Sequence, residues 1–147
     1  MIRSGLIVVL LVGAGFNVQA QEDNREMVQF PEMMQQHMLS NMRDHLRTLE
    51  EIMSALADGK SDKAVEIAEA RIGMSSLEMH GAAQLAEFMP PPMQAMGTEL
   101  HHAASRFVIA VQNADTEQTF KSQQAVFAAL GDVVATCNAC HSSYRIR

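Results

Sequence analysis

Cys137-Asn138-Ala139-Cys140-His141 stands near the end of the last long stretch of helical pattern, which begins after Asp115-Thr116 and runs to about Arg145. On a helix, positions i, i+3 and i+4 share one face, so both thiols and the imidazole point the same way. This C-x-x-C-H spacing is the attachment signature of a c-type haem. The two thiols form thioethers to the haem vinyls while His141 turns its ring to the iron. Other chemistries compete for two close thiols. A disulfide or redox pair suits an oxidising compartment, but a thioredoxin-like role wants a βαβ setting with the motif at a helix start. Nothing strand-like surrounds this motif. A structural zinc needs four ligands, and the cluster supplies three. Haem attachment uses all of them.

The opposite end of the chain fits that reading. Met1-Ile2-Arg3 forms a short positive region, Leu6 to Val12 an apolar one, and Val18-Gln19-Ala20 a site for cleavage after Ala20. That is the pattern of a secretory signal peptide, and its apolar run is too short to span a membrane. Residues 1–20 are therefore expected to be a signal and 21–147 one exported domain, with the periplasm of a bacterium as its compartment. Loss of Arg3 with the signal leaves 10 of the 11 basic residues against 17 acidic ones, net −7 with neutral histidines. An acidic surface argues against nucleic acid and anionic lipid as partners. There is no Trp, one Tyr and 12 Met, and no alternating strand pattern, so the domain is expected to be all-α.

Breakers divide the domain into four helical segments. The first follows Phe30-Pro31 and runs to about Asp58, where Gly59 stops it. Its apolar stripe is Met38, Met42, His45, Leu49, Ile52 and Leu56, the spacing of a bundle seam. The second opens at Ser61-Asp62 and covers Lys63 to about Ile72. After Gly73, Ser75-Ser76-Leu77-Glu78 offers a capping box that restarts the helix, up to Phe88-Met89. Pro90-Pro91-Pro92 ends it. The third runs from about Met93 to Asn113, and the fourth carries the motif. Four helices with short links predict an antiparallel up-down bundle, with the haem at the end formed by the C-terminus of the last helix.

That topology selects the residues able to face the haem opposite His141: Met33, Met34, His37, Met38, His80, Met89, Met93, Met96, His101 and His102. His45 lies two turns beyond Met38, about 10 Å at the helical rise, and reads as a core histidine with a local partner.

The stretch from Phe127 through Cys137-Asn138-Ala139-Cys140-His141 to Arg145 resembles the last helix of the cytochrome c′ family, the class II c-type cytochromes. Leu100-His101-His102-Ala103-Ala104-Ser105-Arg106-Phe107 is similar to that family's third helix. The resemblance covers the mature chain in helix order and the last helix closely. It implies a four-helix bundle, a homodimer, His141 as the proximal iron ligand and Arg145 beside the proximal haem face. Arg145 can equally satisfy the last carbonyls of its helix.

The sixth ligand divides the family. One branch leaves the iron five-coordinate and binds nitric oxide or carbon monoxide; the low-spin branch places a Met there and carries electrons. His37-Met38-Leu39-Ser40-Asn41-Met42-Arg43 resembles the low-spin pattern, with the ligand falling on Met38. A thioether favours the ferrous state relative to a second imidazole. Met34, Met38 and Met42 also repeat at four-residue spacing, as adaptable core filling does. The expected function is single-electron transfer by one covalent haem c between periplasmic redox partner proteins, with no catalytic constellation and hence no enzyme. Gas binding is the alternative. A third class adds a copper site from His80, His101, His102 and nearby Met. His80 or His101 as hydrogen-bond partner of a haem propionate is the other reading of those rings.

Overall fold

A computed structural model describes residues 22–147; the expected signal at residues 1–20 lies outside the described residues. The chain is mainly helical. Strand β1 (Glu26–Val28) leads into α1 (Glu32–Ala57), α2 (Ser61–Arg71), a single 3₁₀ turn (Met74–Ser76), α3 (Ala82–Ala86), α4 (Pro91–Glu117), α5 (Phe120–Ser143) and β2 (Tyr144–Ile146). Among the described residues no helix is long and apolar enough to cross a membrane.

The boundaries have local causes. Pro31 precedes the first turn of α1, and its carbonyl accepts from the Gln35 amide at 2.9 Å. Gly59 takes φ +70° in the turn between α1 and α2, a left-handed conformation that costs other residues energy. The prolines enter α4 at its first turn, where a missing N–H is harmless. Helix α5 starts later than the sequence pattern suggests. Its cap is Thr119, whose hydroxyl accepts from the Ser122 amide while the Ser122 hydroxyl accepts from the Thr119 amide.

One expectation is corrected. The capping box at Ser75 to Glu78 does not restart a helix: the Ser76 hydroxyl donates to the Gly73 carbonyl at 2.7 Å, and Ser75 is held by the Glu69 carboxylate. With both hydroxyls engaged upstream, the chain turns irregularly until the short α3. The all-α expectation holds for the mainly helical chain, which adds one short parallel pairing of β1 with β2, Met27 opposite Arg145. Bonds from the Phe30 amide to the Arg147 carbonyl and from the Arg147 amide to the Val28 carbonyl, both 3.0 Å, extend it. The segment entering α1 is thereby tied to the chain leaving α5.

Two apolar clusters result. The larger draws Ile52, Ala64, Ala68, Phe107, Val126 and Val133 from α1, α2, α4 and α5. The smaller joins Val28, Phe30, Met38, Leu85 and Met93. Phe107 is the largest side chain among those almost wholly buried, at 1 % exposure. Phe107→Ala is expected to remove about 3–5 kcal/mol of stability, a large part of the total for a domain this size. A urea unfolding curve measures it as a fall in midpoint at unchanged slope.

Candidate functional site

Between α1 and α5 lies a cavity of about 750 Å³, within the range of about 300–1,000 Å³ that cofactor sites occupy. Its lining is predominantly apolar. Cys137, Cys140 and His141 line it from α5; Met38, Met42, His45 and Leu49 line it from α1. Cys137 packs against the larger cluster and Cys140 against the smaller, so the motif bridges the two.

Both thiols are free and half-buried. Burial pushes each above its ordinary value. They also occupy the last two turns of α5, where the negative end of the helix dipole disfavours a thiolate. Redox and nucleophilic cysteines need the opposite environment, a helix N-terminus or a neighbouring cation. The dithiol reading therefore has no physical support. Among the described residues no three His, Cys, Asp or Glu side chains are already gathered as metal ligands, at the motif or elsewhere.

The end of α5 is held from outside. Arg25 Nη1 donates to the His141 carbonyl at 3.3 Å, and Arg25 is itself braced by Asp23 at 2.8 Å. This is the task the sequence offered Arg145. Arg145 lines the cavity instead, half-exposed, with its Nε 3.7 Å from the same Asp23 carboxylate. Nothing in the sequence pattern marked Arg25, which comes within reach because β1 pairs with β2.

Met38 is buried, 7 % exposed, and faces the cavity within the smaller cluster. Met42, Met89, Met93 and Met96 also line the cavity. Met33 stands 79 % exposed, and Met34, His37 and His102 do not line it. The buried centre of α1 runs Met38, Asn41, His45, Thr48, Ile52, Ala55. Met42, Leu49 and Leu56 flank it, so the apolar stripe read from sequence is offset by one position at every second step.

At the first of these steps Asn41 turns inward to a partner it shares with His37. Asn41 Nδ2 donates to the His80 carbonyl at 2.9 Å and His37 Nε2 to the same oxygen at 2.8 Å. Gly81, the next residue, has φ +61°, and a Cβ there would stand 2.9 Å from His37 Nε2. The turn is glycine-specific on both counts. It swings His80 inward. Arg71 anchors the base of the same loop, bridging Asp44 and Glu51 of α1 at 2.6 Å each. Ser105 of α4 donates to Glu69 at 2.7 Å and receives the Met74 amide at 3.0 Å.

The result is three buried imidazoles on the cavity wall: His45 from α1, His80 from the loop, His101 from α4. Ring centroids are 4.7 Å apart for His45–His80, 5.4 Å for His80–His101 and 6.1 Å for His45–His101. Burial holds all three below the ordinary histidine value, His45 down to about 4, so each ring is neutral at pH 7. His101 Nδ1 donates to the Ile72 carbonyl at 2.6 Å. The expected local partner of His45 is not there. Nε2 of His45 and Nε2 of His80 are buried with no hydrogen bond, each a cost of roughly 1–3 kcal/mol.

No protein-family model, curated protein or solved structure gives a match to this chain.

Proposed function

We propose that the chain is a periplasmic mono-haem c-type cytochrome of the cytochrome c′ class, a four-helix bundle of the low-spin branch that carries single electrons. The observation that carries this reading is the convergence of Cys137, Cys140 and His141 on one wall of an apolar cavity of cofactor size, with the buried Met38 on the facing helix. These donors fit the group. Two thiols with no disulfide and no thiolate-stabilising neighbour are suited to thioethers, and His141 follows Cys140 on the same helix face.

Cys137 and Cys140 would hold the haem covalently, with His141 as one iron ligand and Met38 as the other. Bound there, haem supplies a one-electron couple. The remaining work belongs to the chain. The apolar lining limits water at the site, and the burial of Met38 in the smaller cluster restrains it between oxidation states. The β1·β2 pairing and Arg25 fix the end of α5 on which His141 sits. The acidic surface steers a basic redox partner, and the same class implies a homodimer.

The test is the absorption spectrum of the purified chain, ferric and ferrous, before and after carbon monoxide. The expected result is a low-spin spectrum unchanged by the gas. A high-spin spectrum that shifts fully with the gas would replace electron transfer by gas binding. A purified exported chain without haem would end the reading.

A further inference from the structure

His45, His80 and His101 take no part in the C-x-x-C-H chemistry, yet three separate elements bring them together out of water. Isolated polar groups so deep are hydrogen-bonded as a rule. Here His45 and His80, 7 % and 5 % exposed, each leave Nε2 without a partner.

The tautomers follow from the partners. His101 Nδ1 donates to the Ile72 carbonyl, which leaves the lone pair on its Nε2. Ser76 Oγ gives its proton to the Gly73 carbonyl and stands 3.4 Å from His80 Nδ1, so the His80 ring donates from Nδ1 and keeps its lone pair on Nε2 as well. Backbone-carbonyl and hydroxyl partners on the far ring nitrogen are the arrangement that orients metal-binding histidines.

Spacing agrees with that use. Two imidazoles at about 2.0–2.1 Å from one tetrahedral ion have ring centres about 5 Å apart, and the three observed separations bracket this value. The three donor atoms are not gathered on one point among the described residues, so capture turns the His45 ring, whose Nε2 has no hydrogen bond to lose.

We propose that His45, His80 and His101 form a three-imidazole site for a borderline first-row divalent ion, copper or zinc, with its fourth position open to the cavity. Neutral imidazole is the ligand such ions share, and three histidines with one open position is a known arrangement for zinc. His102, the neighbour of His101, is solvent-exposed and outside the site. The cavity thus holds two chemistries, the thiol–imidazole motif on α5 and an imidazole trio opposite.

The experiment uses the untagged chain as isolated from an exporting host. It is equilibrated in separate samples with Zn(II) and Cu(II), freed of loose metal by gel filtration with a weak chelator, and analysed for metal per chain. One ion per chain is expected in each sample, with copper held more tightly than zinc against the chelator. X-ray absorption at the bound ion's own edge is expected to count three imidazole nitrogens. His80→Gln and His101→Gln are each expected to lose at least nine-tenths of the retained metal, and His102→Gln none. Failure to retain either ion overturns the proposal, as does retention undiminished in both buried-site variants. Sulfur scatterers in place of nitrogen also overturn it, because they would assign the ion to methionine or to the Cys137 and Cys140 thiols. The absorption experiment on the native chain decides even if a variant does not fold. Haem content, measured separately, decides the cytochrome reading alone: either proposal can fail while the other stands.

Discussion

Replacing Cys137 and Cys140 together by alanine is expected to abolish covalently held haem: acid–acetone extracts all of it from the double variant and none from the native chain. The chain has two cysteines in all, so no other thiol can substitute. Unfolding would not explain the loss. Each side chain is half-buried and surrenders a single sulfur, and alanine is the better helix former at both positions. Far-ultraviolet circular dichroism should therefore find the helices of the double variant intact. The single variants divide the effect, since each leaves one thioether possible. Haem that resists extraction from the double variant would show that the motif is not the attachment site. The competing thiol chemistry makes the opposite forecast. A redox pair requires an accessible, stabilised thiolate, whereas both thiols here are shifted toward the protonated form by burial.

The helices were legible in the sequence because their ends are punctuated by residues with local physical effects. Pro31, Gly59 and the Pro90-Pro91-Pro92 run act through backbone geometry within one turn, and no tertiary contact is needed to read them. The failures have the opposite character. Strands β1 and β2 are three residues each, too short to carry a period, and they pair residues more than a hundred positions apart. Ser75 and Ser76 look like a capping box in isolation, but Glu69 and the Gly73 carbonyl compete successfully for their hydroxyls.

The site divides along the same line. Cys137, Cys140 and His141 form a contiguous motif, and one helix aligns them without help from the rest of the fold. The imidazole trio is assembled by tertiary structure from residues 45, 80 and 101, and no spacing rule links them. One signal was available: a histidine at a seam position of an apolar stripe. Its burial was anticipated from the stripe. Its missing partner was not, because that depends on how the glycine turn at Gly81 aims His80.

Met38→Leu is expected to convert the iron from low-spin and gas-inert to high-spin and fully reactive with carbon monoxide. Leucine is the informative choice because Met38 has two roles to separate. It is buried against Phe30, Leu85 and Met93, so alanine would cost about 2–5 kcal/mol in packing alone and a changed spectrum could reflect loosened structure. Leucine keeps the volume at a cost below about 1.5 kcal/mol and removes the thioether lone pair. Met42 supplies the control. It lines the same cavity one helical turn further along α1, and Met42→Leu should leave the spectrum low-spin. If the two variants exchange outcomes, Met42 is the ligand and the match of His37 to Arg43 with the low-spin pattern is off by one turn. If neither changes the spectrum, the sixth ligand is a group other than these two thioethers. His45, His80 and His101 on the same wall are then the next side chains to substitute, which would bring the imidazole trio into competition with its own proposed metal.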